Sequence, residues 1–180
     1  MFLFSFLAWG ASLSLWVYVA FLSVLFLAIG LIDFRKFIIS DGLLIAGLAG
    51  TVLFFVFGFT DCLILSCSVS SSLYGMSFFA GIFFLLHLFS RGRWMGLGDV
   101  KFAALLGLVF GLENSINVFM LAFLFGFMVA IMLLGFGRAS LKTEVPFGAM
   151  LSLASVFFLL TGFNLLDLID LELILRLWIN

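Results

Sequence analysis

No charged side chain occurs between Met1 and Ile32. One membrane-spanning helix needs only about 20 apolar residues, so this run alone commits the start of the chain to lipid. In lipid every backbone N–H and C=O must find its partner inside the protein, and a continuous apolar run achieves that as a helix. The remainder repeats the pattern: 66% of the 180 residues are hydrophobic and 9% are charged, against about 25% charged in a soluble domain. The expected fold is all-α, a polytopic membrane helical bundle forming one domain over residues 1–180. The N-terminus has neither a basic stretch nor a small-residue cleavage site, so it is expected to remain as a first span rather than leave as a signal peptide. The eight basic residues are scattered, which argues against a nucleic-acid surface. Cys62 and Cys67 form no C-x-x-C pair and have no second pair to join. Neither a metal site nor a redox site is expected, and no cofactor.

Charges divide the chain into about six expected transmembrane helices, at residues 11–32, 42–59, 73–90, 96–112, 115–137 and 146–161. Trp9, Trp16 and Tyr18 are candidate interfacial anchors, and residues 60–72 a candidate loop. The apolar run Phe102–Leu112 has 11 residues, about 16 Å of helix and half a bilayer core. To cross, this helix must extend backward through Gly96–Lys101, which puts Asp99 at or inside the membrane boundary. After Asn164, the residues Leu165, Leu168, Ile169, Leu171, Leu175 and Trp178 alternate with Asp167, Asp170 and Glu172, the pattern of a C-terminal amphipathic surface helix. Seven of the eight basic residues (Arg35, Lys36, Arg91, Arg93, Lys101, Arg138 and Lys142) fall in alternate loops, while the other loops hold Asp61 and Glu113. The basic-residue bias then predicts an outside N-terminus and three cytoplasmic loops.

Ionisable residues at membrane depth are expensive and mark candidate functional sites. Here they are Asp33, Asp41, Asp99, Lys101 and His87. Asp33 closes the first expected span and Asp99 opens the fourth, both on the cytoplasmic side. Two carboxylates that face each other can share one proton. The ionised member then acts as general base toward water and the protonated member polarises a carbonyl. Such chemistry needs no metal and no nucleophilic side chain. Gly96 and Gly98, flanking Leu97 ahead of Asp99, remove bulk so that another backbone can approach. Each residue also has a plainer reading. Asp33 can be a solvated helix end beside Arg35 and Lys36, and Asp99 a favourable carboxylate at a helix N-terminus. Asp41 is expected to cap the second span. Lys101 is open between a membrane-side anchor, an electrostatic partner of the carboxylates and a holder of a substrate acid. His87 is expected to make a structural hydrogen bond. A proton-coupled transporter is the competing function, since membrane carboxylates also relay protons.

Three stretches carry a family resemblance: Asp33-Phe34-Arg35-Lys36-Phe37-Ile38-Ile39-Ser40-Asp41-Gly42-Leu43, Gly96-Leu97-Gly98-Asp99-Val100-Lys101 and Val145-Pro146-Phe147-Gly148. In order and spacing they resemble the type IV prepilin peptidases, G-x-G-D membrane aspartyl proteases. The resemblance implies that Asp33 and Asp99 are the catalytic pair, with Gly96, Gly98, Lys101, Pro146 and Gly148 shaping the site. It implies hydrolysis after a leader Gly of type IV prepilins or pseudopilins, at the cytoplasmic face of a bacterial inner membrane. The substrate helix is then expected to arrive through the bilayer, its basic leader drawn toward Asp41 or Glu144. Two departures stand out. Ser40 occupies the position where the family has Pro, which predicts a looser turn. The cytoplasmic insertion with two cysteine pairs carried by bifunctional members is missing, so no N-methyltransferase activity is expected. A noncatalytic pilus-assembly subunit is the other alternative the resemblance leaves open.

Overall fold

A computed structural model describes residues 13–57, 69–93, 95–135, 146–163 and 165. Five helical elements follow in order: α1 (Leu13–Lys36), α2 (Asp41–Val56), α3 (Val69–Ser90), α4 (Leu97–Gly135) and α5 (Phe147–Thr161). There is no strand among the described residues. Three helices, Ser14–Lys36 within α1, α3 and α4, are long and apolar enough to cross a membrane, and α2 and α5 are shorter apolar helices. The expected count of six spans is not confirmed at this level. Cys62, Cys67, Trp9, Arg138, Lys142, Glu144 and the expected C-terminal amphipathic helix beyond residue 165 lie outside the described residues.

The helices begin and end where chain chemistry allows. α1 does not stop at its first charge. It continues through Asp33 to Lys36 and ends as Phe37 turns left-handed at φ 53°, with its N–H donating to the Asp33 carbonyl at 2.8 Å. A positive φ on a non-glycine residue costs about 1 kcal/mol or more. α3 starts at Val69, so part of the expected loop over residues 60–72 is helix. It closes in a Schellman motif: the Arg91 N–H reaches Leu88 O at 3.1 Å and the Gly92 N–H reaches His87 O at 2.9 Å, with φ 51° at Arg91 and 75° at Gly92.

α4 is not one rod. Gly111 has φ 73° and ψ −175°, a conformation essentially confined to glycine. The Ser115 hydroxyl donates to Leu106 O at 3.3 Å, whereas nine residues of continuous helix would separate them by about 13 Å. The chain therefore doubles back at Gly111, giving limbs 97–110 and 112–135.

α3 lies along α4, α5 packs between α1 and α4, and α2 packs mainly against α1 and α4. Small residues set the closest approaches. A Cβ on Gly75 would fall 2.5 Å from Gly107 O and 2.6 Å from the Gly111 carbonyl carbon, and one on Gly30 would fall 2.8 Å from Ser152 Cβ. Backbones meet this closely only where side chains are absent or small. Rings fill what remains. Phe26 sits 5.8 Å from Phe102 and 6.3 Å from Phe110, Phe110 meets Phe158 at 5.5 Å, and Phe79 stacks on Phe119 at 4.3 Å. Tyr18 belongs to this interior and is not an interfacial anchor. It is buried, stacked on Phe54 at 4.0 Å, and donates to Thr51 Oγ1 at 2.9 Å. The outward faces carry exposed Val24, Leu31, Val56, Phe89 and Phe127, a surface whose matching solvent is lipid.

Candidate active site

Asp33 is only 5% exposed, although Phe34, Arg35 and Lys36 beside it are exposed. What it meets is the start of α5. The first N–H groups of a helix have no partner of their own, and Pro146, at the N-cap, has no side chain to offer them. The Asp33 carboxylate takes that place: its Oδ2 accepts the Ala149 N–H at 2.8 Å, with the Gly148 N–H beside it. The positive end of the α5 dipole favours an anion there. Gly148 leaves the room. A Cβ at this position would lie 2.8 Å from Asp33 Oδ2 and 3.1 Å from its Cγ.

Asp99 is in the first turn of α4. Its Oδ2 accepts the Gly96 N–H at 3.3 Å, and the carboxylate is within electrostatic range of Asp33. Residues from the end of α1 and the start of α4 thus meet at the entrance to α5. Ile39 fills the space between them. Its Cδ1 lies 3.0 Å from where a Gly148 Cβ would be, and its own Cβ 3.1 Å from where a Gly98 Cβ would be. Ile39, in the linker between α1 and α2, lies within the first stretch that carries the resemblance, but as an aliphatic side chain it signals no role at this site. Its burial reveals it only once the helices are placed. Ala149 was equally hidden, since it contributes a backbone N–H.

One expectation is corrected here. Asp41 does not cap α2. Ser40 holds the N-cap position without a side-chain cap bond, and Asp41 instead accepts a hydrogen bond from Lys101 Nζ at 2.7 Å. Lys101 is accordingly paired away from the two carboxylates. The ion pair is exposed on both sides, at 54% and 65%, so its contribution is at most about 1 kcal/mol. Ser40 takes a backbone conformation that proline could adopt, since its φ of −74° lies inside the range proline imposes. His87 makes the expected structural bond, Nδ1 to Met95 O at 2.8 Å.

The fold and this cluster define an all-helical membrane protein that gathers two acidic side chains at one end of its bundle. The chain belongs to the type IV leader peptidase family, whose sequence model matches residues 19–131. That match spans Asp33 and Gly96–Lys101 and stops short of Pro146 and Gly148. No curated protein and no solved structure matches the chain. Membership of a peptidase family makes a protease the activity to account for.

Proposed function

We propose that this chain is a membrane aspartyl endopeptidase that removes the cytoplasmic leader from type IV prepilins or pseudopilins, with Asp33 and Asp99 as its catalytic pair. What supports this reading is that Asp33, bound to the first N–H groups of α5, lies within electrostatic range of Asp99 at the start of α4. With one proton shared between the carboxylates, the ionised member removes a proton from water while the other hydrogen-bonds the scissile carbonyl oxygen. Water adds to the carbonyl carbon and gives a tetrahedral intermediate. The C–N bond breaks as the leaving nitrogen takes a proton from the pair, and a carboxylic acid and an amine result. Gly98 and Gly148 let Ile39 and Asp33 pack close against the backbone, and Gly96 leaves space beside the Asp99 carboxylate. In this reading the two limbs of α4 cross the bilayer separately, six spans result, and the three basic loops face the cytoplasm.

The test is processing of prepilins by the full chain in membranes, comparing wild type with Asp33→Asn and Asp99→Asn. The expected result is cleavage after the leader Gly by wild type and loss of at least about 10³-fold in each variant, in keeping with a general acid–base role. Normal cleavage by either variant would overturn the two-aspartate mechanism. Binding of prepilin without turnover by wild type would favour an assembly subunit, and proton-coupled uptake lost on Asp99→Asn would favour a transporter.

A further inference from the structure

His87 and Asp99 contact opposite sides of the same peptide group. The His87 Nδ1 hydrogen-bonds Met95 O at 2.8 Å, and the Gly96 N–H donates to Asp99 Oδ2 at 3.3 Å. Met95 C=O and Gly96 N–H belong to one amide plane. No described peptide bond is cis, so its oxygen and hydrogen point in opposite directions. With a carbonyl as acceptor, Nδ1 carries the proton. A donor at the oxygen of an amide polarises its N–H and strengthens the bond that the N–H makes. The ring is itself held. It comes from the last turn of α3, the left-handed Arg91–Gly92 pair turns the chain back over it, and a Cβ on Gly92 would lie 3.3 Å from its Cε1. α3 and the start of α4 are thereby joined through one imidazole next to a carboxylate whose Gly-rich approach has little side chain to fix it.

We propose that His87 is a positioning residue for Asp99, acting through the Met95–Gly96 peptide. The catalytic consequence rests on the proposed peptidase function, whereas the geometric link does not. In an Asn side chain the amide nitrogen sits where Nδ1 sits in histidine, whereas in Gln it sits near the place of Nε2. His87→Asn therefore keeps the donor, and His87→Gln and His87→Leu lose it.

Two measurements on the full-length protein in detergent decide the matter: amide hydrogen exchange over Gly96–Asp99, and the kinetics of prepilin cleavage. The expected result is at least about tenfold faster exchange at Gly96 in His87→Gln and His87→Leu. A fall in kcat of about 10–100-fold, the scale of a displaced reacting group, should accompany it with KM within about twofold. His87→Asn should restore both to near wild type. Unchanged exchange in His87→Gln overturns the proposal whatever the activity. Faster exchange with normal cleavage also overturns it, because Asp99 would then not depend on the link. If wild type cleaves no prepilin, the proposed function fails and the exchange comparison alone decides whether His87 holds Asp99.

Discussion

Replacing Gly148 with alanine puts one methyl carbon where there is no room for it. The new Cβ would lie 2.8 Å from Asp33 Oδ2, 3.1 Å from Asp33 Cγ and 3.0 Å from Ile39 Cδ1. A carbon–oxygen approach of 2.8 Å is several tenths of an ångström too close, so the carboxylate must move away from the start of α5. Moving it stretches the 2.8 Å bond from the Ala149 N–H, a hydrogen bond to a charged group worth about 1.5–3 kcal/mol. Crowding of this kind in a packed interior costs about 1–3 kcal/mol, while alanine in place of glycine within a helix returns about 1 kcal/mol. If that bond lengthens without breaking, crowding less the helix gain leaves about 0–2 kcal/mol of destabilisation on unfolding, and full loss of the bond raises it to about 5 kcal/mol. The effect on cleavage is expected to be larger, because a displacement approaching 1 Å at a reacting group can cost about 10²-fold. Gly81→Ala is the control: nothing lies within 4 Å of the Cβ it would add, so it should stabilise α3 by up to about 1 kcal/mol without touching activity. The assay is prepilin cleavage in parallel with denaturant unfolding of both variants. Wild-type kcat/KM in Gly148→Ala, with the protein folded, would refute the argument that Asp33 must stay where α5 holds it.

Other perturbations separate parts of the structure in the same way. Ser40→Pro should raise stability by about 0.4–1 kcal/mol with unchanged activity, since the native φ already suits proline and the unfolded chain loses freedom; thermal unfolding reads this, and a marked loss would show that the N-cap turn needs the Ser40 N–H. A double-mutant cycle on Asp41→Asn and Lys101→Met should give a coupling of about 0.2–1 kcal/mol with cleavage within about twofold, as for an exposed pair; a large loss on Lys101→Met alone would put this cation back at the site. Gly75→Ala should cost more than about 3 kcal/mol, because its Cβ would meet backbone atoms of Gly107 and Gly111 that cannot rotate away. Normal thermal stability of that variant would contradict the close approach of α3 to α4.

The legible part of the fold came from charge. Uncharged runs located the helices, and the ends at Ser90 and Thr161 coincide with the expected boundaries. The illegible part came from contacts made across the bundle. Helix α1 runs on past Asp33 because burying that carboxylate against α5 removes the reason to stop. The reversal near residue 112 was foreseen from Glu113, but not the device behind it, since Gly111 is one glycine among 18 and nothing local marks its positive φ. At the candidate site, Asp33 and Asp99 stand out as candidates because acids are rare in such a chain. The Asp41–Lys101 pair, 60 positions apart in sequence, and Ile39, an ordinary aliphatic residue, announce nothing on their own. Pro146 at the head of α5 was noticed as a motif, whereas its physical meaning, a helix start in want of an acceptor, needed the partner in place.

The bond between Asp33 and the first turn of α5 ties the proposed chemistry of this protein to its assembly. The same carboxylate proposed as one of the catalytic pair also fastens the first described helix to the last, so a chain that dropped the acid would loosen its own architecture. An alanine there would strip α5 of its acceptor and confuse an idle enzyme with a disordered one, whereas an asparagine keeps the fastening and silences only the proton transfer. A degenerate descendant of such a protein would for the same reason tend to retain an oxygen-bearing side chain at position 33 long after the reaction had been lost.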